Sequence, residues 1–428
     1  MHTRTVSMDE VAAPARAWVV VALLFLFMLI NFADRAVLGL AAIPIMEELD
    51  LSHTQFGLIG ASFFTFFSIG AVIGGFLVNR VATKWVLAGL ALIWSLCQLP
   101  MLLTVSMAAL LANRVALGFG EGPAYPVAAH ATYKWFPQEH RALPTSLIAI
   151  GALAGNGIVA PAIVAVIAAW SWQVAFGLLG GIGIVWCLGW LALAREGPLA
   201  SNSAVIGEPE TRSSYRRLLR CRTVIGVQIV GFSAYWLLAV AVVWLPAILN
   251  QTFGYTIGQA GWMMLLVALC QIILLPAISA VSDGLQQRRV SSRRAYGWTA
   301  CASTLAAGVL TLLLSQSNES IAVVICTALA FSLCNVILVL APCLLAEITP
   351  VGQRGAILGI NTAIVTLAGP LAPAVMGIVV DMAPDPEAGY RTGLALAGAL
   401  VIVGGLSGLV LIDPEADRVS LRRDSGAL

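Results

Sequence analysis

Polar positions are sparse along this chain and fall at regular intervals. Apolar runs of at least about 18 residues, long enough to cross a bilayer as helices, recur twelve times between clusters of charge, glycine and proline. In the first half they lie near 17 to 46, 54 to 78, 85 to 105, 108 to 133, 143 to 169 and 173 to 194. In the second half they lie near 223 to 249, 257 to 281, 296 to 314, 320 to 346, 355 to 380 and 392 to 412. The longest polar stretch, Arg195 to Arg222, holds Arg212, Arg216, Arg217, Arg220 and Arg222 and reads as a linker. The pattern predicts an all-α polytopic membrane protein. Its expected parts are a six-helix bundle over 1–194, a linker over 195–222, a second bundle over 223–412 and a tail over 413–428. The first apolar run continues into the body of the chain, so a retained first span is expected rather than a cleaved leader.

Composition narrows the class. With 60% hydrophobic and 10% charged residues and a mean hydropathy of +0.93, the chain is far from a soluble domain, whose charged fraction is nearer 25%. Basic residues set its orientation. Of 23 Lys and Arg, two (Arg35 and Arg114) lie inside spans and one (Arg391) lies on the side taken as outer. The other 20 fall in the N-terminal segment, the loops after even-numbered spans, the linker and the tail. By the positive-inside rule both termini are cytoplasmic. The eight cysteines mostly fall in apolar runs without metal or redox spacing, and read as packing residues. Tryptophans such as Trp18, Trp85, Trp135, Trp170 and Trp172 cluster near span ends, as an interfacial belt would.

The halves repeat. Gln55-Phe-Gly is followed by Asn79 and Lys84 at the spacing at which Gln259-Ala-Gly is followed by Asp283 and Arg288; Arg141 opens the fifth span as Arg354 opens the eleventh. Two offsets, 204 and 213, point to two parallel six-helix repeats with a site between them near the membrane midplane.

Charge breaks this symmetry. Asp34 and Arg35 in the first span, and Arg114 and Glu121 in the fourth, are the only charges deep in the spans. An ionisable side chain at bilayer depth costs roughly 2.5 to 3.5 kcal/mol on insertion scales, so each needs a partner or a function. Seven residues bring Glu121 back to the face of Arg114 but leave them roughly 10 Å apart along the axis, so each looks to another helix or a cavity. Gly118, Gly120 and Gly122 permit close helix approach, and Pro123 and Pro126 break the hydrogen-bond ladder. The four charges sum to zero when both carboxylates are ionised and become positive as either is protonated, which couples proton uptake to anion binding. Glu121 is the better proton carrier, since its nearest helical arginine is a long reach; Asp34 carries protons too or serves as a fixed partner that orients Arg114. Either Arg35 or Arg114 suits a carboxylate, and the sequence ranks neither first. Asn156, Tyr235, Gln271, Asn335, Asn361 and Thr362 are neutral polar groups that could complete a pocket, or bond helix to helix. His130 reads as interfacial.

No intramembrane enzyme is expected: HExxH, GxSxG and GxxxxGK[ST] are all missing, and no metal or other cofactor is implied. Nucleic acid is not an expected partner, and a monomer is expected.

Residues 75 to 84, GFLVNRVATK, with the twelve spans and the repeat, resemble the major facilitator superfamily, whose pattern there is roughly G-x-L-x-D-R-x-G-R-K. Asn79 stands where that family usually has Asp, and Ala82 where it has the second Gly. The resemblance implies gate roles for Asn79, Arg80 and Lys84, with Asp283 and Arg288 their counterparts and Arg141 and Arg354 the second pair. The Asn79 departure bears on the gate's charge contact. Within the superfamily, Asn31-Phe-Ala-Asp34-Arg35, Arg114, Glu121-Gly122, Pro126, Trp135-Phe136-Pro137 and Arg141 resemble the anion:cation symporter family, which includes sugar-acid carriers and sialic-acid and vesicular glutamate transporters. That resemblance implies protonation at Asp34 and Glu121, anion binding by the arginines and a substrate-facing Asn361. The resulting expectation is proton-coupled symport of a small organic anion across the cell's inner membrane. An exporter of amphipathic compounds and an uncoupled facilitator or exchanger are the alternatives.

Overall fold

A computed structural model describes residues 15–77, 81–103, 106–136, 142–198, 214–350 and 353–423. Where described, the N-terminal half comprises α1 (Ala15–Leu40), α2 (Ala42–Leu49), α3 (His53–Leu77), α4 (Thr83–Gln98, extended by a 3-10 turn to Leu102), α5 (Met107–Glu121), α6 (Ala124–Tyr133), α7 (Ala142–Leu153), α8 (Ala160–Ala169) and α9 (Trp172–Leu193). A short α10 (Tyr215–Leu218) lies in the linker. The other half comprises α11 (Arg222–Phe253), α12 (Ile257–Gln287), α13 (Thr299–Gln316, preceded by a π-turn over Arg293–Trp298), α14 (Ser320–Leu333), α15 (Val336–Ile348), α16 (Arg354–Thr366), α17 (Ala368–Met382), α18 (Pro386–Leu411) and α19 (Pro414–Arg423). An all-helical chain follows from its solvent: in hydrocarbon every backbone N–H and C=O must be satisfied within its own segment. Eleven helical stretches among the described residues are each long and apolar enough to cross a membrane. The twelfth crossing is α5 with α6, of 15 and 10 residues, divided at Gly122 and Pro123.

The interruptions have identifiable causes. Pro123 offers no N–H to the carbonyl of Phe119, and Pro370 none to that of Thr366, so the fourth and eleventh crossings each split there. Pro126 causes no second break, because it sits in the first turn of α6, where an N–H would be unpaired anyway. The tenth crossing divides at Asn335, whose side-chain amide donates to the Phe331 carbonyl at 2.9 Å and competes with the ladder. The repeat offset of 213 carries Gly122 onto Asn335, and the π-turn at Ala154–Ile158 onto the break at Leu367. The repeat read from loop motifs is thus also a repeat of helix breaks, all at membrane depth where packing rather than ladder geometry shapes the interior.

Close approach of helices builds the frame around the charges. A Cβ on Gly118 or Gly122 would meet the α3 backbone at Phe63 and Phe67, so α3 and α5 touch backbone to backbone. The two halves close at the end remote from the termini: Gly39 lies against the Val242 carbonyl, Gly57 against that of Pro373 and Gly377 against that of His53. At that end Asp381 accepts from the backbone N–H groups of His53 and Thr54 at 3.0 and 2.7 Å, with the His53 ring nitrogen 3.0 Å away, and so caps α3 from the opposite half.

The other end of the bundle is tied within each half. Glu196, after the sixth crossing, caps α4: it accepts from the Lys84 N–H at 2.8 Å and the Thr83 hydroxyl at 2.9 Å, and pairs with Lys134 at 2.7 Å. Burial raises the Glu196 carboxyl, but those hydrogen bonds and the Lys134 charge outweigh it and hold the group below the usual glutamate range. In the second half Glu415 accepts from the Arg293 N–H at 3.3 Å, Asp417 from the Thr223 N–H at 2.7 Å, and Arg418 pairs with Glu347 at 3.1 Å. Residues 413–428, expected as a plain tail, therefore include a helix that folds back and caps α11. The same 213-residue offset carries Lys134 onto Glu347, so the clamp recurs with its charges exchanged.

Candidate functional site

Four ionisable side chains of the N-terminal half are buried together, none more than 7% exposed. The broken fourth crossing supplies Arg114 and Glu121, and α1 supplies Asp34 and Arg35. Adjacent residues on a helix diverge by about 100°, so Asp34 and Arg35 cannot serve one partner. Arg35 reaches Glu121 through Nε and Nη2, at 3.3 and 3.2 Å from Oε2. Its guanidinium is enclosed by Phe32, Phe63 and Phe67, whose ring centres lie 4.2, 5.1 and 4.9 Å away. The last two are the α3 residues that the glycine face of α5 admits. Each such contact supplies about 0.5 to 2 kcal/mol, whereas removing a guanidinium from water costs several. The rings ease burial of the cation without replacing an anionic partner.

Asp34 turns the other way. Its Oδ1 accepts from Gln98 Nε2 at 2.9 Å. Gln98 Oε1 accepts from Asn113 Nδ2 at 3.1 Å, which also donates to the Cys97 carbonyl at 2.8 Å. Asn113 Oδ1 accepts from Arg114 Nε at 2.9 Å, and Arg114 Nη1 donates to the Asp34 backbone carbonyl at 3.3 Å. The Phe176 ring centre lies 5.1 Å from this guanidinium. As the spacing on α5 requires, Arg114 and Glu121 look to other groups: one to Asn113 and the α1 backbone, the other to Arg35. Neither Gln98 nor Asn113 was among the residues singled out from the sequence. The available signal was an amide beside an intramembrane arginine and a glutamine inside an otherwise apolar span.

Among the described residues, several buried atoms here have no hydrogen-bond partner: Asp34 Oδ2, Glu121 Oε1, Arg114 Nη2 and both polar atoms of the Asn31 side chain. Unpaired buried polar groups cost free energy, so their concentration here makes this cluster the candidate site. Asn156 Oδ1 and Asn361 Oδ1 are unpartnered too. Asn156 follows Gly155, which lies against Leu29 and Phe32 of α1. Tyr235 meets Phe64 edge-on at 6.2 Å, and Phe64 meets Phe63 at 5.2 Å, so an aromatic chain joins α11 to the Arg35 cage.

Other residues singled out from the sequence have structural engagements. Gln271 donates to the Phe331 carbonyl at 3.0 Å, the same carbonyl that Asn335 takes; both satisfy an acceptor released by the helix break. Thr362 donates back to Leu358 at 2.9 Å. At the terminus-bearing end, Lys84 Nζ donates to the Leu191 carbonyl at 2.8 Å, Asp283 accepts from the Tyr296 hydroxyl at 2.9 Å, and Arg354 Nε donates to the Thr349 carbonyl at 3.3 Å. Arg288 ends α12, its N–H donating to the Gly284 carbonyl at 3.2 Å. Asn79, Arg80 and Arg141 lie outside the described residues.

Comparison with known proteins agrees with this architecture. The sequence model of the Major Facilitator Superfamily matches residues 24–247 and 227–426. A hexuronate transporter of Bacillus subtilis is 26% identical over 398 residues, 91% of each chain. A probable sulfoacetate transporter of Cupriavidus necator is 25% identical, covering 89% of this chain and 90% of its own. A D-galactonate transporter of Escherichia coli is 23% identical, covering 93% and 96%. Among solved structures, a bacterial homologue of the human lysosomal transporter Spinster superposes with a TM-score of 0.77 at 16% identity, covering 94% of this chain and 97% of that one. A D-xylose-proton symporter gives 0.75 at 16% identity, covering 94% and 99%.

Proposed function

This chain belongs to the Major Facilitator Superfamily, and within it we propose a secondary transporter that carries a small organic anion, a carboxylate, together with protons. The observation that carries the reading is the Arg35-to-Glu121 pair, buried and bonded through two guanidinium nitrogens. A substrate carboxylate and the Glu121 carboxylate compete for one cation. When Glu121 takes a proton, Arg35 keeps its aromatic cage but loses its counter-ion, and the cluster acquires a net positive charge that an anion neutralises. When Glu121 releases the proton it reclaims Arg35 and the anion is expelled. Asp34 is the second proton site, and Arg114, Asn156, Tyr235 and Asn361 supply further polar contacts. That curated relatives covering most of the chain carry sugar acids and a sulfonated carboxylate supports the same class.

Transport proceeds by alternating access, with the bundles over 1–194 and 223–412 rocking about the site. The distribution of basic residues supports cytoplasmic termini and residence in the inner membrane. On that orientation the closure at His53 and Asp381 faces outward, and Lys84, Glu196, Asp283 and Arg354 stand on the cytoplasmic side, where the gate contacts form and break.

The test uses purified protein in liposomes that hold a pH-sensitive dye, challenged with hexuronates, aldonates and short sulfonated acids. Substrate-driven internal acidification that Glu121→Gln abolishes, with labelled-substrate exchange retained, is the expected result. Exchange without acidification in the wild type would overturn proton coupling and leave an uncoupled carrier.

A further inference from the structure

The hydrogen bonds between Asp34 and Arg114 run in one chemical direction, and a backbone atom sets it. A carbonyl oxygen only accepts, so Cys97 requires Asn113 to present its NH2 group, at 2.8 Å. The oxygen of that amide then faces Arg114 Nε, which only donates, at 2.9 Å. Asn113 Nδ2 also fixes Gln98, whose oxygen must receive it at 3.1 Å, and Gln98 is left with its NH2 group toward Asp34 Oδ1 at 2.9 Å. Turning Asn113 over would set oxygen against the Cys97 carbonyl and NH2 against the Arg114 guanidinium; turning Gln98 over would set NH2 against the Asn113 NH2 and oxygen against Asp34 Oδ1. Both amides are buried on α4 and α5, at 0% and 3% exposure, away from bulk solvent.

From this polarity we propose that Gln98 and Asn113 are positioning residues of proton transfer: they reserve Asp34 Oδ1 as a permanent acceptor and direct the exchangeable proton to Oδ2. Asp34 Oδ2 is the carboxylate oxygen without a partner. Asn31, one helical turn earlier on the same face of α1, has both polar side-chain atoms unpartnered. Its amide and Asp34 Oδ2 are thus both left free for a third group, a water or a ligand, on that face. The same relay holds Arg114 through Nε and Nη1, leaving Nη2 as its unpartnered donor. A proton-accepting oxygen, Asp34 Oδ2, and an anion-binding donor, Arg114 Nη2, are thereby left free at the two ends of one hydrogen-bonded chain. The other ionisable groups facing this assembly are Cys97 on α4, Arg35 on α1 and Glu121 on α5. Arg35 and Glu121 engage each other, and the relay includes neither.

The inference rests on the proton-coupled reading above, and its test separates the two. Uptake driven by substrate would be followed across external pH in liposomes for the wild type, Gln98→Met, Asn113→Ser and, as a control on the same helix as Gln98, Ser95→Ala. Gln98→Met keeps side-chain length and removes a donor that favours the charged carboxylate, so the pH of half-maximal uptake is expected to rise by about one unit. Asn113→Ser never touches Asp34, yet it unlocks the Gln98 amide, so a smaller displacement in the same direction is expected. Ser95→Ala should leave the profile in place. If Gln98→Met fails to insert, Asn113→Ser carries the test alone. A proton-coupled wild type with profiles of Gln98→Met and Asn113→Ser that superimpose on it, whatever their transport level, would overturn the relay and spare the coupling. A wild type that exchanges substrate without moving protons would overturn both.

Discussion

At the scale of single residues, the site turns on which cation answers which carboxylate. Arg35 binds Glu121 through two nitrogens and is enclosed by three rings, an arrangement that needs a planar, delocalised cation. Arg35→Lys retains the charge but not the fork or the stacking. Substrate affinity is expected to fall about 10- to 100-fold, the loss of one charge-assisted hydrogen bond and part of the cage, with the protein still folded. Equilibrium binding to purified protein measures this, and unchanged affinity would exclude Arg35 as the anion's ligand. On the proposed mechanism Glu121→Gln is expected to have a different signature, loss of accumulation with exchange retained, because it would remove the titrating proton and not the guanidinium.

At the scale of elements, two devices recur: breaks that open the middle of a crossing, and carboxylates that cap helix starts from elsewhere in the chain. Glu196 illustrates the second. Its carboxyl lies below the ordinary glutamate value of 4.5, so its contribution is fully present above about pH 4.5 and is lost as pH falls through the lower folded value. Glu196→Gln is expected to cost about 1 kcal/mol at pH 7, the worth of a cap and a half-exposed ion pair. Thermal unfolding of both forms in detergent should show the gap between them narrowing below pH 4.5. A gap that widens with acidification would contradict the assignment.

For the whole molecule, closure at the end remote from the termini depends on glycine contacts and on Asp381 capping the start of α3. Asp381→Ala removes charge-assisted hydrogen bonds worth about 2 kcal/mol, which shifts the closed-to-open ratio of that end roughly 30-fold. Distance measurements between spin labels at Asp50 and Gly254, on opposite halves, should reveal a longer population in the variant. The repeat shows in the same contacts: the Arg141 to Arg354 motif, the helix breaks and the Lys134 to Glu347 exchange all follow the 213-residue offset, while the deep charges stay in one half.

Much of this was present in the sequence, for reasons of chemistry that act locally. Apolar run length fixes the number of crossings, because hydrocarbon tolerates no unpaired backbone; the cost of burying charge singles out Asp34, Arg35, Arg114 and Glu121. Proline placement marks the break at Pro123, and axial rise on α5 separates Arg114 from Glu121. The partners could not be read the same way. Asp34 and Arg35 are neighbours in sequence, yet a helix turns them about 100° apart, and Arg35 finds Glu121 86 residues away. Gln98, Asn113 and the three phenylalanines acquire their places only when glycine faces let α3, α4 and α5 close around α1. Gln271 and Asn335 both satisfy a carbonyl that a helix break left open, a partner that spacing alone does not name. Composition and spacing determine which groups must be satisfied inside a membrane; the packing of helices decides by whom.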